Sequence, residues 1–325
     1  MMNTGKIRAA FFSAEPFQID YVYGHGRRAA LEKECEILPE IVTPENFGHH
    51  ADFLSSTEAV FSTWGMWSMS ESQLGAMPRL REFYYAAGAT DAFARPLLRR
   101  GIAVHSAWRE NAVPVAEFTL AQILLSLKGY FRNSRDYRSP EHFRENIGPG
   151  CYGETVALLG AGAISQKLQE FLQNFNVNVL VMASRPEHRR ISLEDAFQRA
   201  FVVSNHLPNR ADNRKIIRAE HFLMMRRGAT FLNTGRGAQV DEAGMIAALK
   251  RRPDLTALLD VASSDPLPPE SELYTLPNVR LSGHIAGSYH DEVLRMSDAM
   301  IDEFHRVRRG GSPLRRISES MLMTS

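Results

Sequence analysis

Three side chains toward the end of this 325-residue chain are of types that act together on a carboxylate and the carbon beside it. Arg236 lies in Asn233-Thr234-Gly235-Arg236-Gly237, Asp265 in Ser264-Asp265-Pro266, and His284 in Gly283-His284-Ile285-Ala286-Gly287. A guanidinium holds a carboxylate by two parallel hydrogen bonds. An imidazole beside a carboxylate gives and takes a proton near neutral pH. Each residue also has a plainer reading: Arg236 as the cap of a neighbouring helix, Asp265 as a turn acid before proline, His284 as a core histidine. Their order and local wording favour the chemical one.

A Gly-rich loop precedes this set. Thr155 to Leu159 reads as a buried strand, and Gly160-Ala161-Gly162-Ala163-Ile164-Ser165 follows it and opens a helix with apolar Ile164, Leu168, Phe171, Leu172 and Phe175. In that context the loop is expected to bind a dinucleotide rather than to be an ordinary turn. Gly160 permits the tight turn. Gly162 lets the backbone approach the pyrophosphate at the positive end of the helix, where Ala163 and Ile164 form the first turn. Ser165 takes the place of the third glycine and is small enough for close helix–strand packing. The next strand, Val177 to Met182, is followed by Ala183, where an acid would bond the ribose hydroxyls. Without that acid, Ser184 and Arg185, aided by Arg189 or Arg190, are expected to hold a 2′-phosphate. NADP is therefore expected over NAD, with a solvated basic loop as the alternative. Downstream of such a loop, the arginine, acid and histidine read as reversible reduction of a 2-oxo acid.

These groups must be positioned by alternating strands and helices. Ile7 to Ser13, Ala59 to Ser62, Glu82 to Ala87 and Ile102 to His105 read as strands, with a helix at Ser70 to Met77. Asn111 to Lys128 reads as a helix long enough to cross between domains, and Tyr130 to Gly150 as a polar, extended connection. Beyond the Gly-rich loop, Phe201 to Val203, Ala229 to Leu232, Leu255 to Leu259 and Val279 to Leu281 are strands of a doubly wound sheet, with a helix at Asp241 to Lys250. Asp291 to Val307 is a helix that could return to the first domain, and Arg308 to Ser325 a solvated, partly mobile tail. The fold class expected is α/β in two domains. Residues 109–288 form a Rossmann dinucleotide domain, and residues 1–108 with 289–325 a smaller flavodoxin-like substrate domain.

The segment Phe231 to Glu242 resembles the strand–turn–helix of the D-isomer-specific 2-hydroxyacid dehydrogenases. The resemblance continues through Leu259-Asp260-Val261, Asp265-Pro266-Leu267-Pro268, Leu276-Pro277-Asn278-Val279 and Gly283 to Gly287, and upstream through Asn111 to Glu117. It implies that Arg236 binds the substrate carboxylate and that His284 protonates the carbonyl oxygen as hydride arrives. The third member is usually a glutamate; Asp265 keeps the charge with one methylene fewer, which leaves rate and pH optimum open. The resemblance also places Asp260 on the nicotinamide carboxamide and makes Thr234 a cofactor contact beside Arg236. It puts His206 and Pro208 on the loop lining the cofactor, and Ala87 and Gly88 on a turn whose N–H groups hold the substrate carboxylate. Trp64 could wall the substrate pocket, whereas Tyr84 and Tyr85 read as core. The resemblance implies a homodimer and a catalytic cleft that closes to exclude water. A nicotinamide-responsive binding or corepressor-like protein on the same fold is the alternative, against which Arg236 and His284 argue.

Composition sets outer limits. Apolar residues make up 44%, enough for two cores, and the net charge of +1 gives no electrostatic case for nucleic acid or an anionic membrane. Two cysteines without a CxxC fit a reducing cytoplasm, and no apolar run reaches the length of a membrane span. No metal is expected, and His49-His50 reads as a solvated loop rather than a ligand pair.

Overall fold

The computed structural model describes residues 5–322. The chain forms two units, one of residues 5–111 and 288–322, the other of residues 112–287.

In the first unit five parallel strands lie in the order β2-β1-β3-β4-β5, where β1 is Ile7–Phe12, β2 Cys35–Ile37, β3 Ala59–Ser62, β4 Glu82–Tyr85 and β5 Ala103–Ser106. Successive residues alternate between two cores because strand side chains point to opposite faces. Phe12, Val60 and Phe83 enter one core; Phe11, Phe61 and Tyr84 enter the other, with Met296, Met300 and Phe304 of the returning helix Glu292–Arg308. A sheet covered on both faces needs such near-continuous apolar strands. Tyr84 and Tyr85 are buried here, Tyr84 stacked on His105 with ring centroids 4.8 Å apart.

In the second unit six parallel strands lie in the order β11-β10-β9-β8-β6-β7. They are β6 Glu154–Leu159, β7 Val177–Met182, β8 Val202–Asn205, β9 Thr230–Asn233, β10 Thr256–Leu259 and β11 Val279–Leu281. The order steps outward in both directions from β6, so the switch point falls between β6 and β8, where an open α/β sheet binds its ligand. The helix Trp108–Leu127 starts in the first unit and continues in the second. Among the described residues, no single helix is long and apolar enough to cross a membrane.

Two expectations fail. The stretch 130–150 is not extended: a helix, Tyr130–Asp136, and a short 3-10 turn, Pro140–His142, form a loop whose ends meet. Gly148 N donates to Lys128 O at 3.1 Å, and a Cβ on Gly148 would lie 2.2 Å from Leu127 O. Asp136 ties the loop by accepting from Arg135 and, at 2.8 Å, from Asn146 Nδ2. The tail is not solvated either. Ser106 N donates to Arg315 O and Ile317 N to Val104 O, extending the sheet at β5, while Ile317 and Leu322 are buried. The fully buried Glu303 anchors it, its Oε1 accepting from Leu314 N and Arg315 N at 2.7 and 2.8 Å; residues 323–325 lie outside the described residues. His49 and His50 close a 3-10 turn, Phe47–His50, with His49 exposed and His50 Nε2 paired with Glu40 Oε2 at 3.1 Å.

Candidate active site

The loops that follow β6, β8, β9, β10 and β11 carry the residues expected to act, all at the carboxyl edge of one parallel sheet. After β6 the chain turns at Gly160, whose φ of +105° is a left-handed value that favours glycine. A Cβ there would also stand 2.5 Å from His206 O. Gly162 differs: its φ is −78°, and a Cβ on it would meet no protein atom within 4 Å. Gly160 is thus required by the fold, whereas Gly162 leaves room for a group from outside. The helix Ala163–Leu172 that starts beyond it has no side-chain cap, so the N–H groups of its first turn point outward at the positive end of the dipole. Ser165 is fully buried, as the packing of this helix on its strand demands. A dinucleotide pyrophosphate fits this cradle.

The loop after β7 is braced rather than loose. Arg189 donates from Nε to Ala183 O at 3.2 Å and from Nη2 to Ser184 O at 2.9 Å. The Ser184 hydroxyl accepts from Asn213 Nδ2 at 3.2 Å. Arg185 begins the short turn Pro186–His188.

The loop after β8 contains a buried histidine. His206 Nε2 lies 2.8 Å from Ser204 Oγ, and its Nδ1 lies 3.4 Å from Thr234 Oγ1, which in turn lies 3.2 Å from Thr119 Oγ1. Burial pushes this imidazole down to about 3, so it is neutral at physiological pH. The imidazole of His206 therefore braces Thr234 from within.

Arg236 follows β9 and is exposed, while its backbone is held on all sides. Arg236 N donates to Gln239 Oε1 at 3.0 Å, and Arg236 O accepts from Asn233 Nδ2 at 3.2 Å. Its Nη1 donates to Gly235 O at 2.8 Å. Gly237 allows the turn to press on the next loop, since a Cβ there would fall 1.6 Å from Ala262 O. Glu242 reaches the same loop and accepts from Ser263 N at 2.9 Å.

Asp260, after β10, is buried and organises the histidine loop. Its Oδ1 accepts from Ser282 Oγ at 2.7 Å and Ile285 N at 2.9 Å, its Oδ2 from Ala286 N at 3.0 Å, and its carbonyl from His284 N at 2.7 Å. This latch lets His284 keep a φ of +62°, unusual for a residue with a Cβ. His284 Nδ1 meets Asp265 Oδ2 at 2.9 Å, with about half of each side chain exposed. The shorter acid therefore reaches the imidazole directly. The pairing engages the ring through Nδ1.

In the first unit the turn after β4 has its carbonyls occupied. Thr63 Oγ1 donates to Ala86 O at 2.9 Å, and Ser106 Oγ to Ala87 O at 2.8 Å and Gly88 O at 2.9 Å. A Cβ on Gly88 would lie 2.9 Å from Asn111 Nδ2. Trp64 is half-buried and packs against both cores of this unit, its carbonyl accepting from Ser13 Oγ at 2.9 Å.

A doubly wound sheet with a dinucleotide cradle and an arginine, acid and histidine at its carboxyl edge defines a nicotinamide-dependent oxidoreductase. Residues 120–286 match the family described as "D-isomer specific 2-hydroxyacid dehydrogenase, NAD binding domain", and the chain belongs to that family. A glyoxylate reductase of Aeropyrum pernix is 30% identical over 242 residues, 69% of this chain and 72% of that protein. Glyoxylate/hydroxypyruvate reductase B of Enterobacter sp. is 27% identical over 83% of this chain and 87% of its own length. In fold, the chain is similar to a phosphoglycerate oxidoreductase from Rhizobium etli, with a TM-score of 0.79, 24% identity, and coverage of 98% of this chain and 100% of that one.

Proposed function

We propose that this chain reduces a small 2-oxo acid to its D-2-hydroxy acid, as the names of the glyoxylate and hydroxypyruvate reductases it resembles suggest. The observation that carries the reading is the His284–Asp265 pair at 2.9 Å on a loop latched by Asp260. A bound nicotinamide supplies the hydride. The chain's own groups do the rest. Arg236 binds the substrate carboxylate through its guanidinium and turns the carbonyl carbon toward the cofactor. His284 gives a proton from Nε2 to the carbonyl oxygen, while Asp265 fixes the ring through Nδ1.

We assign residues 109–288 as the cofactor domain and residues 1–108 with 289–325 as the substrate domain. Gly160, Gly162, Ala163 and Ile164 seat the pyrophosphate. Thr234, His206 and Pro208 flank the cofactor. Asp260 serves the carboxamide as well as the latch. Ala87, Gly88 and Trp64 serve the substrate. NADP is the preferred cofactor in this reading, because Ala183 offers no acid to repel a 2′-phosphate and Ser184 and Arg185 stand beside it. A reducing cytoplasm suits its two free cysteines, Cys35 and Cys151. A homodimer is supported by Leu125, Tyr130, Tyr137, Phe143, Ile147 and Tyr152, half of the exposed large apolar side chains among the described residues, all within 125–152.

The deciding experiment is turnover of glyoxylate, hydroxypyruvate and branched or aromatic 2-oxo acids with NADPH and with NADH. Reduction of at least one, with the lower KM for NADPH, is expected. Binding of either dinucleotide without turnover of any 2-oxo acid would reject the reading, and a clear NADH preference would reject the cofactor assignment alone.

A further inference from the structure

Three carboxamides, Asn205, Asn233 and Gln239, are almost wholly buried at the carboxyl edge of β8 and β9. Asn205 Nδ2 donates to Asn233 Oδ1 at 2.9 Å and lies 3.1 Å from Gln239 Oε1. Each carboxamide then reaches backbone. On one side Asn205 Oδ1 accepts from Leu207 N at 3.2 Å and Gln239 Nε2 donates to Pro208 O at 3.3 Å. On the other side Asn233 Oδ1 accepts from Gly235 N at 3.2 Å, and Asn233 and Gln239 hold the carbonyl and N–H of Arg236. Every link is an uncharged hydrogen bond in a dry environment, where breaking one strands a buried polar group. The loop at 205–208 and the turn at 233–239 are therefore parts of one rigid lattice.

We propose that Asn205, bonded to both Asn233 and Gln239, and Gln239 itself are positioning residues that transmit dinucleotide seating at the 205–208 loop to the orientation of Arg236. This rests on the reading above, in which that loop flanks the cofactor and Arg236 binds the substrate carboxylate. The lattice adds a functional coupling: the guanidinium reaches its binding orientation when the loop is held by the dinucleotide. The carboxamides touch neither substrate nor cofactor in this scheme. They act through the two backbones they join.

The test uses the full-length chain and a double variant, Asn205→Leu with Gln239→Met. It removes both carboxamides at similar volume and so spares the buried mismatch that either single variant leaves between them. Asn233 Oδ1 keeps Gly235 N and Pro208 O keeps Asn213 Nδ2, while Leu207 N and Arg236 N lose their acceptors, so a thermal melt first establishes that the double variant is folded. Backbone amide exchange is followed with and without saturating NADPH. In the natural chain NADPH slows exchange at 205–207 and 233–239 together; in the double variant it slows exchange at 205–207 alone. In parallel, KM for hydroxypyruvate rises about tenfold, the scale of one well-placed hydrogen bond, while NADPH affinity stays within about twofold. A folded double variant in which NADPH still protects 233–239 and KM is unchanged overturns the proposal. The exchange measurement needs no turnover, so a chain that binds NADPH and reduces no 2-oxo acid refutes the function and leaves this test readable.

Discussion

The turn that carries Arg236 and the loop that carries His284 follow β9 and β11 of one sheet, yet their backbones are fixed by different chemistry. Around Arg236 the restraints are neutral carboxamides, all buried, and the guanidinium alone is exposed. Around His284 the restraint is a single buried carboxylate, Asp260, which accepts from a hydroxyl and two N–H groups. These donors replace the water that the carboxylate loses on burial. The difference suits the two tasks proposed for them. A group that orients a substrate needs a stiff base and no competing charge beneath it. A group that exchanges protons needs partial access to solvent and a carboxylate partner, and His284 with Asp265 has both.

If the latch matters as argued, Asp260→Ala is the most damaging change short of removing a reacting group. It leaves the Ser282 hydroxyl and the N–H groups of Ile285 and Ala286 without their acceptor. Steady-state kinetics are expected to show kcat falling about 10²-fold or more, approaching the whole contribution of the acid. Dinucleotide titration is expected to show binding at the Gly-rich loop retained. A smaller effect separates charge from geometry at Asp265. Asp265→Asn keeps the shape and loses the charge, and kcat is expected to fall about tenfold; Asp265→Glu is expected to stay within about threefold.

A different kind of effect concerns stability, and it belongs to the Arg236 side through His206 and Thr234. The unfolded chain carries an ordinary histidine that takes up a proton below about 6.5, whereas the folded chain takes none until about 3. Stability is thus fully present above that window and falls as pH drops through it. His206→Gln is expected to flatten this acid limb by up to about 1.4 kcal/mol per pH unit, read from denaturation midpoints at several pH values.

Much of this arrangement is legible without coordinates because its signals are local. The strand–glycine–helix run at 155–172 states its geometry in one stretch, and the segments around Arg236, Asp265 and His284 each do so within a dozen residues. What escapes the sequence depends on contacts far along the chain. Asn205 stands 28 residues from Asn233 and 34 from Gln239, and each alone looks like a loop residue. β2 is three residues long, too short to show alternation. The tail misleads because one anchor, Ile317, is isolated in polar sequence, the other, Leu322, lies in an apolar run of only three residues, and its main partner is an acid, Glu303, on the apolar face of a helix. The loop at 130–147 has a helix with no buried residue, so no hydrophobic period marks it.

The central claim is that His284 delivers the proton while the dinucleotide is held elsewhere by the Gly-rich loop. His284→Ala, assayed with the best 2-oxo acid and titrated with the dinucleotide, tests both halves at once. The account predicts that kcat drops by about 10²–10⁴-fold while dinucleotide affinity is unchanged. Retained turnover in that variant, with the dinucleotide bound, would contradict it.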